Sequence, residues 1–316
     1  MPVSDSPALE IDGLIKDVGP IASLDGRMMR VLDGVSLSAR FGQVTALLGA
    51  NGAGKTTTLE CAQGLQRRNG GTIRLLGQDP DSAGADLRAR VGVMLQDGGL
   101  PPSARPLPLL RHIAAMYRNP RDIGGLVERL GIDTFTNTTV RRLSGGQKQR
   151  LALAACLVGN PEVVFLDEPS AGLDPQSRQI VFELIRELRD EGLAIVLTTH
   201  LLDDAQKLAD YVFIVDGGRT VAQGTVPELL AQEGSTSSRS LMFEAAQGLD
   251  LAGLPAGLDA AEVSAGHYTV TGIQQPADLA ALAQWWAAHD VMPASLHFAA
   301  RNLEDVFLDI SGRQIR

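Results

Sequence analysis

The feature that most constrains this chain is a glycine-rich run that follows a short apolar segment. Residues 49–57 read GANGAGKTT, which matches G-x-x-x-x-G-K-[ST] between the apolar residues 44–48 and a helical pattern that begins at Lys55. Glycines let the backbone turn so that successive N–H groups point at one anion, and the N-terminus of the following helix adds its dipole. The run therefore predicts a phosphate-binding loop between a β-strand and an α-helix.

Every residue of this loop is a candidate nucleotide contact. Within it, Lys55 is predicted to place a point charge on the β and γ phosphates, and Thr56 to offer its hydroxyl to Mg²⁺. A glycine-rich turn with a chance lysine is the alternative interpretation, and the flanking strand and helix argue against it. The predicted nucleotide-binding residues are Gly49, Ala50, Asn51, Gly52, Ala53, Gly54, Lys55, Thr56 and Thr57.

A second candidate element is the segment VVFLDE at residues 163–168, an apolar strand that ends in two acids. Side chains at the carboxyl edge of a parallel sheet face the ligand crevice. Asp167 is predicted to hold Mg²⁺ through water, and Glu168 to take a proton from the attacking water. Taken alone, such a strand is as often structural as catalytic, but its place downstream of a phosphate loop favours the catalytic interpretation.

Strand-like segments alternate with helical patterns along most of the chain. This alternation predicts an α/β fold with a mainly parallel sheet wrapped by helices, and the phosphate loop makes it a fold of the P-loop NTPase type. The predicted strands are 44–48, 72–76, 91–95, 163–166, 194–198 and 211–215, and the predicted helices begin at Lys55 and span residues 176–190.

The composition changes after Leu230, where residues 232–240 read QEGSTSSRS and are typical of a linker. We therefore predict an ATPase domain at residues 1–230, a linker at 231–240 and a small α+β domain at 241–316. The pattern of the last domain is strand, strand, helix, strand, helix. Trp285 and Trp286 on its first helix are expected to pack in its core.

Charge and composition exclude several classes of protein. The formal net charge is -9, and residues 231–316 carry ten acidic residues against four arginines, so no nucleic-acid partner is expected. Cys61 and Cys156 lie in apolar stretches without metal-ligand spacing, so we expect both to be buried and inert. The chain has neither a membrane-length apolar run nor a signal-peptide pattern at its start, which favours a soluble, cytoplasmic protein.

The most discriminating stretch is LSGGQ at residues 143–147, followed by the helical run KQRLALAACLV. As a bare pentapeptide it fits a helix cap, with Ser144 as the N-cap. Downstream, the acidic strand, the run PSAGLD and a strand that ends in His200 follow in a fixed order. With these motifs the chain resembles the ABC ATPase family over residues 9–230.

The resemblance implies ATP as the nucleotide and a sandwich of two ATP molecules between two copies of the chain. In that arrangement Ser144 and Gly146 contact a γ-phosphate bound by the partner copy. The resemblance also makes Gln96 the glutamine that senses Mg²⁺ and water. By the same resemblance, Asp174 is expected at the dimer seam and His200 is expected to contact the γ-phosphate. The resemblance also implies an ATPase core with an antiparallel edge subdomain and a helical subdomain around residues 100–160.

Longer runs narrow the resemblance to ATP-binding subunits of drug-resistance and other type 2 ABC exporters. These runs are LDEPSAGLDPQSR, LTTHLLDDAQKLADYVFIVDGGRTVAQGT and the closing NLEDVFLDISGR. They imply an ATPase that powers a separate integral membrane permease and is held peripherally on the inner face of the cell membrane. Val18 stands where the family usually has an adenine-stacking aromatic residue, and Pro108 stands near a usual glutamate that faces the permease.

A rival interpretation from another class is a soluble ABC ATPase that remodels nucleic acid or ribosomes. Such proteins usually carry two cassettes, long coiled coils or zinc-binding cysteines, and this sequence shows none of these. A hydrolysis-poor regulatory subunit is a third interpretation, and the presence of both Glu168 and His200 argues against it.

Overall fold

The computed structural model describes residues 6–21, 27–95, 99–231, 239–299 and 302–314. Contacts between Cα atoms divide the chain into two compact units, Met1–Leu229 and Leu230–Arg316. We call them the first unit and the second unit. The domain boundaries at residues 230 and 241 and the linker stay predictions.

In the described chain, the first unit contains nine strands and seven α-helices, and an eighth α-helix crosses its C-terminal boundary. The strands are β1 (Leu9–Ile21), β2 (Arg27–Ala39), β3 (Gln43–Leu48), β4 (Gly70–Leu75), β5 (Val91–Met94), β6 (Val163–Asp167), β7 (Ala194–Thr199), β8 (Tyr211–Asp216) and β9 (Arg219–Gly224). The helices are α1 (Lys55–Ala62), α2 (Ala85–Ala89), α3 (Pro106–Ala114), α4 (Ile123–Arg129), α5 (Gly145–Leu157), α6 (Pro175–Asp190), α7 (Leu202–Leu208) and α8 (Val226–Ala231).

The main sheet of the first unit has the strand order β5-β6-β7-β3-β8-β9. All neighbours pair in parallel except β9, which pairs antiparallel with β8. Every residue of β6 and β7 is buried, as expected for parallel strands that are covered on both faces. Because β3, β6 and β7 are neighbours, their carboxyl ends and the loops that follow them meet at one edge of the sheet.

A second, antiparallel sheet in this unit has the order β2-β1-β4. Buried apolar residues such as Leu9, Leu32 and Ile73 pack in one core with Leu59 of α1 and Phe165 of β6. The backbone N–H of Asp33 donates to Gly218 O at 2.8 Å, which links β2 to the turn between β8 and β9. This sheet fits the antiparallel edge subdomain that we expected, and α3, α4 and α5 lie in the predicted helical region. The strand predicted at 72–76 was expected in the main sheet but pairs with β1 instead, and β1 and β2 were not predicted.

The second unit is a four-stranded antiparallel sheet with two helices. Its elements are β10 (Arg239–Glu244), β11 (Asp259–Ser264), β12 (His267–Ile273), α9 (Pro276–Ala288), β13 (Ser295–Ala299) and α10 (Leu303–Gln314), and the strand order is β11-β12-β10-β13. Trp285 and Trp286 of α9 are buried, as predicted, with Phe243 and Tyr268 of the sheet. The sequence analysis missed β11, since DAAEVS is mostly exposed and lacks an apolar alternation.

Both cysteines are buried and carry free thiols. Burial raises the pKa of the Cys61 thiol to about 11 and raises that of Cys156 still further, so neither forms a thiolate at neutral pH. In the described part of the chain, no helix has both the length and the apolar character to cross a membrane. The α/β P-loop fold with a small C-terminal α+β arrangement is as predicted.

Candidate nucleotide-binding and hydrolysis site

The loop between β3 and α1 has the curled backbone that the motif predicts. Gly54 precedes α1 with a φ of +104°, in the region that favours glycine. A Cβ at Gly54 would lie 2.4 Å from Leu32 Cδ2, and one at Gly49 would lie 2.3 Å from Val215 O. Glycine is therefore required at both positions, because neighbouring atoms occupy the space of any side chain.

The Lys55 side chain folds back over this loop. Its Nζ donates to Gly49 O at 2.8 Å and to Ala50 O at 3.2 Å, and the residue is only 8% exposed. Burial lowers the pKa of the Lys55 ammonium, while the nearby Glu168 and Asp167 carboxylates act in the opposite direction. The ammonium is thus held at the loop by neutral carbonyls, which phosphate oxygens can replace.

Asp167, the last residue of β6, is buried between two threonine hydroxyls. Thr56 Oγ1 donates to Asp167 Oδ2 at 3.2 Å. Thr198 Oγ1, from the neighbouring strand β7, donates to Asp167 Oδ1 in a short hydrogen bond. The structure therefore brings the two predicted Mg²⁺ residues, Thr56 and Asp167, into direct contact.

Glu168 has an unusual backbone and an incompletely bonded carboxylate. Its φ is +51°, in the left-handed region that residues with a Cβ rarely adopt. Its N–H lies 3.2 Å from both Thr198 O and Thr198 Oγ1. Its Oε2 is buried without a hydrogen bond, and His200 Nδ1 lies 2.9 Å from that oxygen.

Lys55, Thr56, Glu168 and His200 line one cavity of about 330 Å³ at the carboxyl edge of the main sheet. Its lining residues are Val31, Asn51, Gly52, Gly54, Lys55, Thr56, Thr57, Glu168 and His200. Gly49 and Ala50 contribute carbonyls to Lys55, whereas Ala53 is buried behind the loop. The apolar wall is Val31 of β2, which the sequence analysis did not single out. Val18 is not among the lining residues and is 37% exposed.

The LSGGQ sequence opens α5 and forms a capping box. Gln147 N donates to Ser144 Oγ at 3.2 Å, and Ser144 N donates to Gln147 Oε1 at 3.0 Å. A Cβ at Gly146 would lie 3.9 Å from Asp174 Oδ2, so Gly146 and Asp174 are close neighbours. Asp174 is exposed and caps α6, and hydrogen bonds from Ser177 lower the pKa of its carboxyl.

Gln96 lies outside the described residues. Two further residues contact Glu168 or Asp167, and the sequence analysis did not predict them. They are Thr198, already described, and Gln149, whose Nε2 donates to Glu168 O at 2.8 Å. In the sequence, Thr198 is marked only as the first of two threonines before His200, and Gln149 only as a polar residue one turn into α5.

A phosphate loop on a parallel sheet, a buried aspartate beside its threonine, and a glutamate next to a histidine define a P-loop nucleoside triphosphatase. A family model described as ABC transporter matches residues 32–171. The Nod factor export ATP-binding protein I of Ralstonia nicotianae (strain ATCC BAA-1114 / GMI1000) is 34% identical over 99% of this chain and 97% of that protein.

The chain therefore belongs to the ABC transporter family, as the resemblance predicted. The daunorubicin/doxorubicin resistance ATP-binding protein DrrA of Streptomyces peucetius is 35% identical over 75% of this chain and 71% of that protein. A solved ATP-binding subunit of an ABC transporter is 26% identical and has a TM-score of 0.63 over 71% of this chain and 92% of the other. The chain is an ATP-binding subunit of this family and an ATPase that converts ATP and water into ADP and phosphate.

Proposed function

We propose that two copies of this chain close around two ATP molecules and thereby power a separate membrane-spanning exporter. The observation that carries the dimer is the position of the LSGGQ sequence. Ser144 and Gly145 are exposed, and no described residue of that sequence lines the cavity formed by the phosphate loop, Glu168 and His200. Donors exposed at the start of a helix suit a phosphate bound by another chain.

The part of the cavity that is formed by the phosphate loop suits a nucleoside triphosphate with Mg²⁺. Loop N–H groups and Lys55 would hold the phosphates, while Thr56 and Asp167 would hold Mg²⁺, a cation that is commonly bound by one or two protein oxygens and by substrate phosphates. When bound, Mg²⁺ offsets charge on the phosphate oxygens. By the family resemblance, Gln96 is a further proposed contact of Mg²⁺.

Glu168 is the proposed general base. Its buried Oε2 would take a proton from water as the water oxygen attacks the γ-phosphorus and the bond to the β-γ bridging oxygen breaks. The products are ADP and phosphate. His200, 2.9 Å from that oxygen, would orient the carboxylate and contact the γ-phosphate. Asp174 and Gly146 would lie at the seam between the two copies.

The relatives support an exporter as the machine that this ATPase drives. Their printed names are those of ATP-binding proteins for Nod factor export and for daunorubicin resistance. We infer a partner that is an integral membrane permease and a peripheral position on the inner face of the membrane. The cargo class is a drug, a lipid or another substrate of type 2 ABC exporters. A dimeric cassette with bound ADP and phosphate is among the solved structures of similar fold.

The dimer is tested by mixing two inactive variants. Ser144→Arg places a bulky cation where a donor is needed, so it should bind ATP at the phosphate loop yet lose turnover. Lys55→Ala should lose ATP binding and turnover. A mixture of the two contains dimers with one composite site in which the phosphate loop and LSGGQ are both intact, and should recover part of the ATPase activity.

Asp122→Arg is the matched control, because Asp122 caps α4 as Ser144 caps α5, and it lies outside the cavity lining. It should keep its turnover. Full activity of Ser144→Arg alone, or no recovery in the mixture, would contradict the composite site.

The exporter is tested by fractionation: the chain should sediment with membranes only when a multi-helix permease encoded beside it is co-expressed.

A further inference from the structure

One side-chain contact joins helix α5 to the backbone of Glu168. Gln149 lies five residues after Ser144 on this helix, and its Nε2 donates to Glu168 O at 2.8 Å. The contact is partly buried. No role assigned above uses this amide.

The backbone of Glu168 needs such support. At a φ of +51°, its Cβ crowds the peptide, so a residue other than glycine keeps this conformation only where the surroundings hold it. Thr198 accepts from its N–H, and Gln149 donates to its C=O at 2.8 Å, beside a longer bond of 3.2 Å from the backbone N–H of Ala171. The contacts of Thr198 and Gln149 come from different elements and restrain both polar groups of the residue.

The direction of a side chain follows from the backbone that carries it. Were Glu168 to relax toward the right-handed or extended region, its Cα–Cβ bond would rotate and the carboxylate would leave its place beside His200. Catalytic groups that are misplaced by about 1 Å lose a large part of their effect on rate. The contact from Gln149 therefore bears on hydrolysis more than on nucleotide binding.

We propose that Gln149 is a positioning residue for hydrolysis, which holds Glu168 in the conformation that aims its carboxylate into the nucleotide cavity. This rests on the proposed role of Glu168 as general base. Through this contact, the position of Glu168 also depends on α5, whose first turn carries the LSGGQ donors.

The test is the split between kcat and KM in Gln149→Leu. Loss of one hydrogen bond should lower kcat roughly 3- to 10-fold while the KM for ATP and the Kd of a non-hydrolysable ATP analogue stay within about 2-fold. Gln149→Lys keeps a donor of sufficient reach and should recover most of the lost kcat. Gln179→Leu is the matched control, because it removes one amide hydrogen bond, to Glu183, on the exposed side of α6.

Should Gln149→Leu fail to fold, Gln149→Asn replaces it, since it keeps the amide but is one methylene too short. A wild-type kcat in the folded variant, or equal losses in the leucine and lysine variants, would overturn the proposal. In single-turnover assays, adding Gln149→Leu to Glu168→Gln should cause no further loss, because the base is already absent. If the two losses multiply instead, Gln149 does not act through Glu168. A wild-type rate for Glu168→Gln alone would refute the general base itself.

Discussion

The two units of this chain bury different kinds of residues. Among the described residues, every buried residue that carries a formal charge belongs to the first unit: Lys55, Asp167, Glu168 and Asp204. The core of the second unit is instead built from leucines, aromatic rings and other apolar side chains, with Phe243 and Tyr268 stacked at 5.0 Å between ring centroids.

Burying a charge costs free energy unless partners compensate it, and the one polar side chain described beside Glu168 Oε2 is His200, whose Nδ1 lies 2.9 Å away. Asp204 is better compensated, since it accepts from Ser170 Oγ at 2.5 Å and lies near Arg178. The difference indicates that the first unit keeps buried charges, three of which lie at the candidate nucleotide site, whereas the core of the second unit is apolar. Substitutions in the two units should therefore affect different properties.

The largest expected effect is on turnover in the first unit. Glu168→Gln should lower kcat about 10²- to 10⁴-fold, because only the proton acceptor is lost. ATP binding should persist. The free energy of unfolding should change by less than about 1 kcal/mol, since glutamine has the same shape and keeps a polar group beside His200 Nδ1. Phosphate release and chemical denaturation measure the two quantities; a large loss of stability with little loss of kcat would reverse the interpretation.

In the second unit, Trp286→Ala should destabilise folding by about 3–5 kcal/mol, because it opens a cavity beside Phe243. Trp286→Phe is the control: the indole Nε1 is buried without a hydrogen-bond partner, so the loss should be much smaller. Both tryptophans of the chain lie on α9, so the fluorescence of the remaining Trp285 reports unfolding of this unit alone. ATP affinity should stay unchanged; a matching fall would show that the two units are not independent.

The sequence predicts the part of the site that would bind the phosphates better than the part that would bind the nucleobase. Motif order and spacing place Lys55, Thr56, Asp167, Glu168 and His200, and the structure brings all five together. The motif suffices there because each of these residues lies in the loop or at the end of a parallel strand, and the carboxyl ends of the neighbouring strands β3, β6 and β7 meet at one edge of the sheet. The wall formed by Val31 depends on how β2 packs over the loop, which is a long-range contact that no short pattern encodes.

The contacts of Thr198 and Gln149 were also beyond sequence reasoning. Each residue is a polar side chain on a regular element, and what makes it important is a neighbour 19 or 30 residues away in the chain. In the second unit, β11 was missed because it is an edge strand with little apolar character. Its pairing with β12 gives it strand geometry despite this composition.

A smaller effect tests the family resemblance, which puts Val18 at the position of an adenine-stacking aromatic residue although Val18 does not line the cavity. An aromatic stack on a nucleobase is worth roughly 1–3 kcal/mol, so Val18→Tyr should tighten ATP and GTP binding by at most about 10- to 100-fold. In the wild type, both nucleotides should bind with similar affinity, because phosphate contacts do not distinguish bases. Titration under one buffer measures both. No gain together with a strong preference for ATP in the wild type would show that another residue holds the adenine.

The smallest expected effect concerns a charge pair of the first unit outside the cavity. Arg68 donates to Asp79 at 2.5 and 2.9 Å and holds the pKa of that carboxyl below its ordinary value. Because the folded pKa is depressed, the stabilisation is present above the ordinary aspartate pKa of about 3.9 and is lost as the pH falls through the folded value.

Asp79→Asn should therefore cost about 1 kcal/mol at pH 7, and its difference from the wild type should shrink as the pH falls below about 4. Denaturant titrations at several pH values measure this difference. Arg68→Gln should show the same loss of pH dependence. A difference that is constant with pH would mean that packing, not charge, accounts for the effect.

The central claim is that two copies of the chain complete each other's ATP sites. Its most direct test is the mass of Glu168→Gln in solution, measured by size-exclusion chromatography with light scattering in Mg-ATP and in Mg-ADP. With hydrolysis blocked, the variant should be a dimer in ATP and a monomer in ADP. The double variant that carries both Glu168→Gln and Ser144→Arg should not form the ATP-dependent dimer. A Glu168→Gln protein that binds ATP and remains a monomer at every concentration tested would contradict the account.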